Sequence, residues 1–231
     1  MLSKIKQELH SLADPERAKH SHRFFKTGPG EYGEGDVFLG ITMPEIRKVA
    51  KKYLSLSIKD VEKLLKSKFH EHRMTALVIW TYQYPKADQK TKEDIYTTYL
   101  NNTKHINNWD LIDVTTPKIV GAHLFDKDRS ILYTLAKSND LWEKRISILA
   151  TFWFITHNQF EDTLKIAEIL LNDTHDLIHK AVGWALREVG KKDQAVEEKF
   201  LKQHYKTMPR TMLRYAIERF PEKLRQEYLK K

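Results

Sequence analysis

The chain has 231 residues, of which 41% are hydrophobic, a composition typical of a folded globular protein rather than a disordered one. It contains no cysteine, which excludes disulfides, thiolate zinc sites, iron–sulfur clusters and cysteine nucleophiles. The formal net charge of +9 favours a polyanionic partner, a nucleic acid or an anionic membrane surface, although a lysine-rich surface that only confers solubility has the same composition.

The first residues, MLSKIKQELHSLAD, are amphipathic and mixed in charge, unlike a signal peptide. No apolar stretch of the sequence approaches the roughly 18 residues that a membrane span needs. We therefore expect a soluble, cytoplasmic protein that does not associate with a membrane, and we expect it to be a monomer.

Glycines and prolines punctuate helical segments along the chain. Eight glycines and seven prolines fall between apolar-periodic segments, and no run of alternating β-branched residues occurs. Helix starts are marked by Thr42 with Glu45 three residues later, by Ser57 and by Asn108. The predicted helices span residues 2–13, 15–26, 42–54, 57–66, 70–84, 91–102, 108–116, 117–125, 128–137, 140–157, 160–171, 175–190, 193–205, 209–219 and 221–230.

Residues 27–37, TGPGEYGEGDV, interrupt this pattern and hold four of the eight glycines. A phosphate-binding loop is disfavoured because no Gly-Lys-Ser/Thr follows and three acidic residues would repel phosphate. We predict a surface loop or short hairpin, in which Tyr32 contacts a ligand if the segment overhangs the binding face.

An internal repeat is visible in the sequence. Arg73 in EHRMTAL and Arg145 in EKRISIL lie 72 residues apart, Trp109 lies 36 residues from each, and KAVGWAL follows about 35 residues after Arg145. This period, with two helices per unit, lies in the HEAT, armadillo and TPR range, and the TPR signature is not evident. We predict an all-α fold: one domain over residues 1–231, a curved α-solenoid (superhelix) of HEAT-like antiparallel helix pairs, whose second helices line a concave groove.

The segment NNWDLID carries the strongest candidate site. Trp109 and Asp113 are four residues apart and share one face of the predicted helix. A tryptophan beside a carboxylate suits a flat cationic ligand, because the ring face attracts positive charge and the carboxylate adds Coulomb attraction. The alternative is a tryptophan of the core, with an aspartate that stabilises the first turn through the helix dipole.

A second candidate face lies on the helix predicted at 175–190. Lys180, Trp184 and Arg187 follow i, i+4, i+7 spacing, and Arg145 one repeat earlier offers a guanidinium that can bind a phosphate bidentately. The alternative is an ordinary amphipathic helix with Trp184 in the core. The core face would otherwise be formed by Ala181, Leu186 and Val189.

The histidines show no metal-binding pattern. There is no HExxH, and no third ligand accompanies the pair with i, i+4 spacing. We predict neither a metal nor a cofactor. The pairs considered are His20 with His22, His70 with His72, and His175 with His179.

Four segments together are similar to the AlkD family of bacterial DNA glycosylases: FLGITMPEIR at 38–47, WDLID at 109–113 with Pro117 after it, RISIL at 145–149 and KAVGWALRE at 180–188. Their order and spacing match over nearly the whole chain. The resemblance implies a HEAT-like solenoid that cradles double-stranded DNA. It also implies hydrolysis of the N-glycosidic bond of cationic alkylated purines such as 3-methyladenine and 7-methylguanine, with the lesion left in the base stack.

The resemblance also assigns roles to residues. It implies that Asp113 is catalytic, that Trp109 and Trp184 contact the deoxyribose of the lesion, and that Arg145 supports the site and its DNA contacts. Lys180 and Arg187, on the same helix face as Trp184, are predicted DNA contacts. A contact tyrosine in the family's second helix is replaced here by Phe24 or Phe25, and we expect Phe24 at the DNA interface.

Two alternatives to a glycosylase stay open. The related AlkF and AlkG subfamilies bind branched DNA without excising bases, and residues 27–37 are longer here than in the best-known AlkD members. The first alternative is a non-catalytic protein that binds branched or distorted DNA. The second is a HEAT-like protein–protein scaffold for an acidic protein. The intact pair of Trp109 and Asp113 favours the enzyme.

Overall fold

The computed structural model describes residues 1–230, which form helices joined mostly by short turns, with a longer non-helical segment over residues 25–42. Across these residues the β structure is limited to an isolated bridge between Val37 and Phe69. The predicted all-α, helical-repeat class is therefore confirmed. None of the described helices is long and apolar enough to cross a membrane. The chain divides into two compact units, Met1–Ile119 and a second that begins at Val120, and the single domain stays a prediction.

The first unit is organised around α5, which packs on α3, α4 and α7. Every residue of α5 from Met74 to Trp80 is buried, so this helix is surrounded by protein on all sides. The α-helices of this unit are α1 (Leu2–Ser11), α2 (Pro15–Phe24), α3 (Met43–Lys52), α4 (Ile58–Leu65), α5 (His70–Gln83), α6 (Gln89–Leu100) and α7 (Trp109–Thr116).

The second unit is organised around α12. Its helices are α8 (Ala122–Leu124), α9 (Ser130–Ala136), α10 (Leu141–Thr156), α11 (Glu161–Ile169), α12 (Asp176–Lys192), α13 (Gln194–His204), α14 (Arg210–Ala216) and α15 (Glu222–Leu229). α12 packs on α10, α13 and α14. Gly183 permits this packing, because a Cβ at that position would collide with the carbonyl oxygen of Met212 in α14. In both units, alternate helices pack side by side, as expected of stacked helix pairs.

The predicted caps at the starts of α3 and α7 are confirmed. The Glu45 carboxylate accepts a hydrogen bond from the Thr42 N–H at 2.9 Å, which completes the capping box of α3. The Asn108 side chain accepts from the Trp109 N–H at 2.8 Å, so α7 begins where the sequence predicts.

Residues 27–37 form successive turns rather than a hairpin. After them, the backbone of residues 39–41 is tied to α5 by one carboxylate: Glu71 accepts the N–H groups of Leu39, Gly40 and Ile41 at 2.8, 2.7 and 3.3 Å. Gly40 has φ of +81°, and a Cβ there would collide with the Asp14 carbonyl, so only glycine fits. The FLGI motif is thus the docking segment between α2 and α5.

A buried charged network joins these turns to α5 and α7. His70, the first residue of α5, has its Nδ1 3.1 Å from Asp36 and its Nε2 2.9 Å from Asp110. The Arg73 guanidinium lies 2.5 Å from the second Asp36 oxygen, and the Asn108 amide donates to Asp36 at 3.1 Å. The network fixes the end of the glycine-rich turns and the first turn of α7 against the start of α5.

The His70 ring carries a positive charge at neutral pH. Burial lowers the pKa of His70, but the charge of Asp110 and hydrogen bonds to Asp110 and Asp36 outweigh burial and raise it to about 9. For Asp36, burial acts in the opposite direction and raises the pKa. The hydrogen bond from His70 and the charges of Arg73 and His70 outweigh burial and hold the pKa of Asp36 below its usual value. The network is therefore an imidazolium and a guanidinium facing two carboxylates.

Replacing His70 by glutamine should lower the free energy of unfolding by roughly 3 kcal/mol at pH 7, because two buried or half-buried carboxylates lose a charged partner. The pKa of His70 lies near 9 when folded and near 6.5 when unfolded, so its stabilisation is full below pH 6.5 and is lost as the pH rises through 9. Urea denaturation at pH 6, 7.5 and 9.5 measures this. His20→Gln, which changes an exposed histidine of α2, is the control; parallel pH profiles for wild type and His70→Gln would contradict the assignment.

A second buried group gives a different pH window. Glu197 of α13 is buried, and one of its carboxyl oxygens has no hydrogen-bond partner. Burial, followed by the charge of Glu198, raises its pKa to about 8 from 4.5. Its contribution to stability is present below pH 4.5 and is lost as the pH rises through 8.

Glu197→Gln should therefore be more stable than wild type at pH 8 and above, because the amide stays neutral and a buried neutral group costs less than a buried negative charge. The same urea series measures this, with the exposed Glu161→Gln as the matched control. A variant no more stable than wild type at pH 9.5 would show that the carboxyl is solvated or paired.

Candidate active site

The first candidate site residues lie on α7, in the first unit. Trp109 is the first residue of the helix and Asp113 follows one turn later, so the predicted shared face is confirmed, and both side chains are partly exposed. Asp110 has a different role: its carboxylate pairs with His70 and also accepts the Leu111 N–H at 2.8 Å. Both acids of α7 are partly exposed, and Asp110 is the one that pairs with His70.

The charge of Asp113 acts on the buried phenol of Tyr99. Burial raises the pKa of Tyr99 to about 12, and the negative charge of Asp113 adds to this shift. The Tyr99 hydroxyl makes hydrogen bonds of 3.1 and 2.7 Å with Thr115 and Thr116, so it is held in place beneath the Asp113 turn.

The helix changes geometry directly after Asp113. Pro117 lacks the N–H that would bond to the Asp113 carbonyl in an α-helix, and the chain continues as a π-helical segment over Pro117–Gly121. Widened turns of this kind occur frequently at functional sites. The break that the sequence predicts before Pro117 is this change from α to π geometry.

Trp109 belongs to an aromatic cluster. Its ring stacks on Phe25 with centroids 5.3 Å apart and meets the edge of Phe24 at 5.8 Å. Phe25 in turn stacks on Phe38, and both rings contact His70. Phe24 is 56% exposed at the end of α2. Phe25 stacks on both Trp109 and Phe38, whereas Phe24 is the more exposed of the two rings, and its place at a DNA interface stays a prediction.

Arg145, in the second unit, is buried within α10 rather than presented to solvent. Its Nη1 donates to the Leu177 carbonyl at 2.5 Å and so ties α10 to the first turn of α12. Arg73 occupies the matching place in α5 and donates to the Ser67 and Lys68 carbonyls, at 3.3 Å each. The sequence repeat with a 72-residue offset thus contains two buried arginines that donate hydrogen bonds to backbone carbonyls.

The predicted face of α12 is present, and its members have partners. Lys180 forms a 2.7 Å ion pair with Asp176, one turn earlier. The Trp184 indole N–H donates to Glu188 at 3.0 Å, and its ring meets Phe152 edge-on at 4.6 Å. Trp184 is therefore held in one orientation with part of its surface exposed.

Arg187 faces two carboxylates. Its guanidinium pairs with Glu218, and its Nε lies 3.7 Å from Glu188. A phosphate would have to compete with two carboxylates for this side chain. The predicted core face of α12 is confirmed, since its three members are fully buried: Ala181, Leu186 and Val189.

Sequence reasoning missed the network that supports this site. The spacing of His70 and His72 argues against a metal pair but does not indicate the partners of the two rings. In the structure His70 faces two aspartates, whereas His72 makes a 2.9 Å hydrogen bond with Ser67. Asp36 looked like one more acid of a solvated loop. Within residues 1–230, no group of three or more histidine or acidic side chains is placed to hold a metal ion.

Comparisons with known proteins identify the family. A solved structure described as a predicted DNA alkylation repair enzyme from Enterococcus faecalis matches with a TM-score of 0.70 and 16% sequence identity, over 91% of this chain and 97% of that chain. At that identity the likeness shows a shared fold. A search of curated proteins gives no match. The family model described as DNA alkylation repair enzyme matches residues 5–220, nearly the whole sequence, and the chain therefore belongs to the family of DNA alkylation repair enzymes.

Proposed function

We propose that this protein is a DNA glycosylase that hydrolyses the N-glycosidic bond of cationic alkylated purines, such as 3-methyladenine and 7-methylguanine, in duplex DNA. Family membership supports a role in DNA repair, and the net charge of +9 favours a polyanionic substrate. The observation that carries the proposal is the partly exposed pair of Trp109 and Asp113, one turn apart on α7.

The chemistry needs few catalytic groups. An N-alkylated purine is already cationic, so it leaves as a neutral base when the bond from C1′ breaks and its electron pair goes to the base nitrogen. The remaining difficulty is the positive charge that develops on the sugar. The Asp113 carboxylate stabilises that charge and aligns the water that adds to C1′, accepting its proton. The Trp109 ring face contributes a cation–π interaction with the sugar.

The other predicted residues serve binding and positioning. Trp184, Lys180 and Arg187 are proposed DNA contacts from α12, and Phe24 extends the apolar surface beside Trp109. Arg145 is proposed as a positioning residue, because its guanidinium is buried and donates to the carbonyl of Leu177 at the start of α12. No step requires a metal or an organic cofactor.

Asp113→Asn should lower single-turnover release of 7-methylguanine from methylated duplex DNA by at least about 100-fold, because the amide cannot stabilise developing positive charge. Free base is quantified by chromatography and mass spectrometry. Asp94→Asn, which neutralises an exposed carboxylate of α6, is the matched control and should retain the wild-type rate. Wild-type release no faster than that of Asp113→Asn would sink the proposal.

Trp109→Ala should lower the same rate about tenfold relative to Trp109→Phe, because phenylalanine keeps a ring face for the cationic sugar. Circular dichroism of both variants checks that the stack on Phe25 is not required for folding. Equal rates for the alanine and phenylalanine variants, both folded, would remove the ring face from the mechanism.

A second candidate is a non-catalytic protein that binds branched or distorted DNA, favoured by the charge of +9 and the glycine-rich turns of residues 27–37. The same reagents separate the two. Tight binding to a four-way junction, with a steep salt dependence, no base release and no change in Asp113→Asn, would establish the binder. Base release that depends on Asp113 would exclude it.

A further inference from the structure

We propose that a basic cavity of the first unit binds a phosphate group. The cavity has a volume of about 300 Å³ and lies between the end of α4, the start of α5, the last glycine-rich turn and the segment that leads into α7. It is separate from the face of Trp109 and Asp113, neither of which lines it. The proposal rests on the proposed function only for the source of the phosphate.

Four cationic side chains line the cavity, and two of them are paired with a carboxylate. Lys66 pairs with Glu62 at 2.6 Å, and Arg73 pairs with Asp36. Lys68 and Lys104 form no ion pair within residues 1–230; the Lys68 ammonium lies 5.2 Å from the centre of the Phe69 ring. These two lysines are the groups available to an incoming anion.

The acidic side chains of the cavity do not cancel this charge. Asp36 is already shared by the Arg73 guanidinium and the His70 imidazolium. The Glu34 carboxylate accepts the Gly30 N–H at 2.8 Å, within the glycine-rich turns. The two carboxylates offset part of the charge of the four cations, and the lining keeps a net positive charge.

The positive charges of the cavity lower the pKa of His105, which also lines it. Burial lowers the pKa of His105, and the charges of Lys104, Lys66 and Arg73 lower it further, against a smaller opposing effect of Glu62. The ring is therefore neutral at physiological pH and offers one N–H as a hydrogen-bond donor. Two ammonium groups with a neutral imidazole match the needs of a phosphate oxygen.

The position of the cavity favours a phosphate of the DNA backbone. Asn107 lines it and directly precedes the cap and first residue of α7, so a bound phosphate lies near the helix N-terminus. Contacts to phosphates set the register of a protein on a duplex. A phosphate held here would fix the strand relative to Trp109.

The first arm of the test uses an unmodified duplex. The Lys68→Ala/Lys104→Ala double variant is compared with Lys59→Ala/Lys90→Ala, which removes the same charge from exposed lysines that do not line the cavity. Affinity is measured across a salt series. The cavity variant should show a slope of log K against log salt that is shallower by about 0.9, the loss of one phosphate contact, while the control keeps the wild-type slope.

The second arm uses inorganic phosphate alone. Phosphate at millimolar concentration, at constant ionic strength against chloride, should raise the Tm of wild type and of the control, but not that of the cavity variant. A Tm effect of this kind with an unchanged DNA slope would support the site with free phosphate as its ligand. A cavity variant that matches the control in both arms overturns the proposal. Loss of base excision alone leaves both arms readable, so a failed glycosylase proposal is distinguishable from a failed phosphate site.

Discussion

The buried imidazolium of His70 is the constraint on which the first unit depends. A charge inside a protein is tolerated only when it is paired and hydrogen-bonded. His70 pairs with the carboxylate of Asp36 through one ring nitrogen and with that of Asp110 through the other. The segment before α3 and the first turn of α7 must therefore both reach the start of α5. Phe25 and Phe38 close over the same ring, and Trp109 stacks on Phe25. The position of the tryptophan is thus a consequence of how one histidine is neutralised.

The two aspartates of α7 have different roles as a result of the same constraint. Asp110 pairs with His70, whereas Asp113 lies three residues further along α7 and its charge acts on Tyr99. Pro117 has no backbone N–H to donate, and the helix changes from α to π geometry at this residue. In the second unit a buried arginine has the anchoring role, since Arg145 holds the start of α12, where Trp184 lies. In each unit the exposed aromatic ring is carried by a helix whose first turn is fixed by a buried charge.

What the sequence predicted correctly is local. The capping box of Thr42 and Glu45, the Asn108 cap and the shared faces of α7 and α12 each depend on residues within one or two turns, so spacing alone determines them. The partners of buried charges are not local: Asp36 and Asp110 lie 34 and 40 residues from His70, and Glu218 lies 31 residues beyond Arg187. Spacing carries no information about such pairs, so the sequence predicts neither the ion pairs of Asp36 nor the pairing of Arg187 with Glu218.

The central claim is that Asp113 and Trp109 act on a sugar whose base leaves because it is already cationic. The most direct measurement compares two duplexes that differ only in that charge, one with a single 7-methylguanine and one with its neutral isostere 7-methyl-7-deazaguanine. The account predicts release of free 7-methylguanine and an abasic site from the first duplex, and no release from the second. No release from either duplex, or release from both at similar rates, would contradict it.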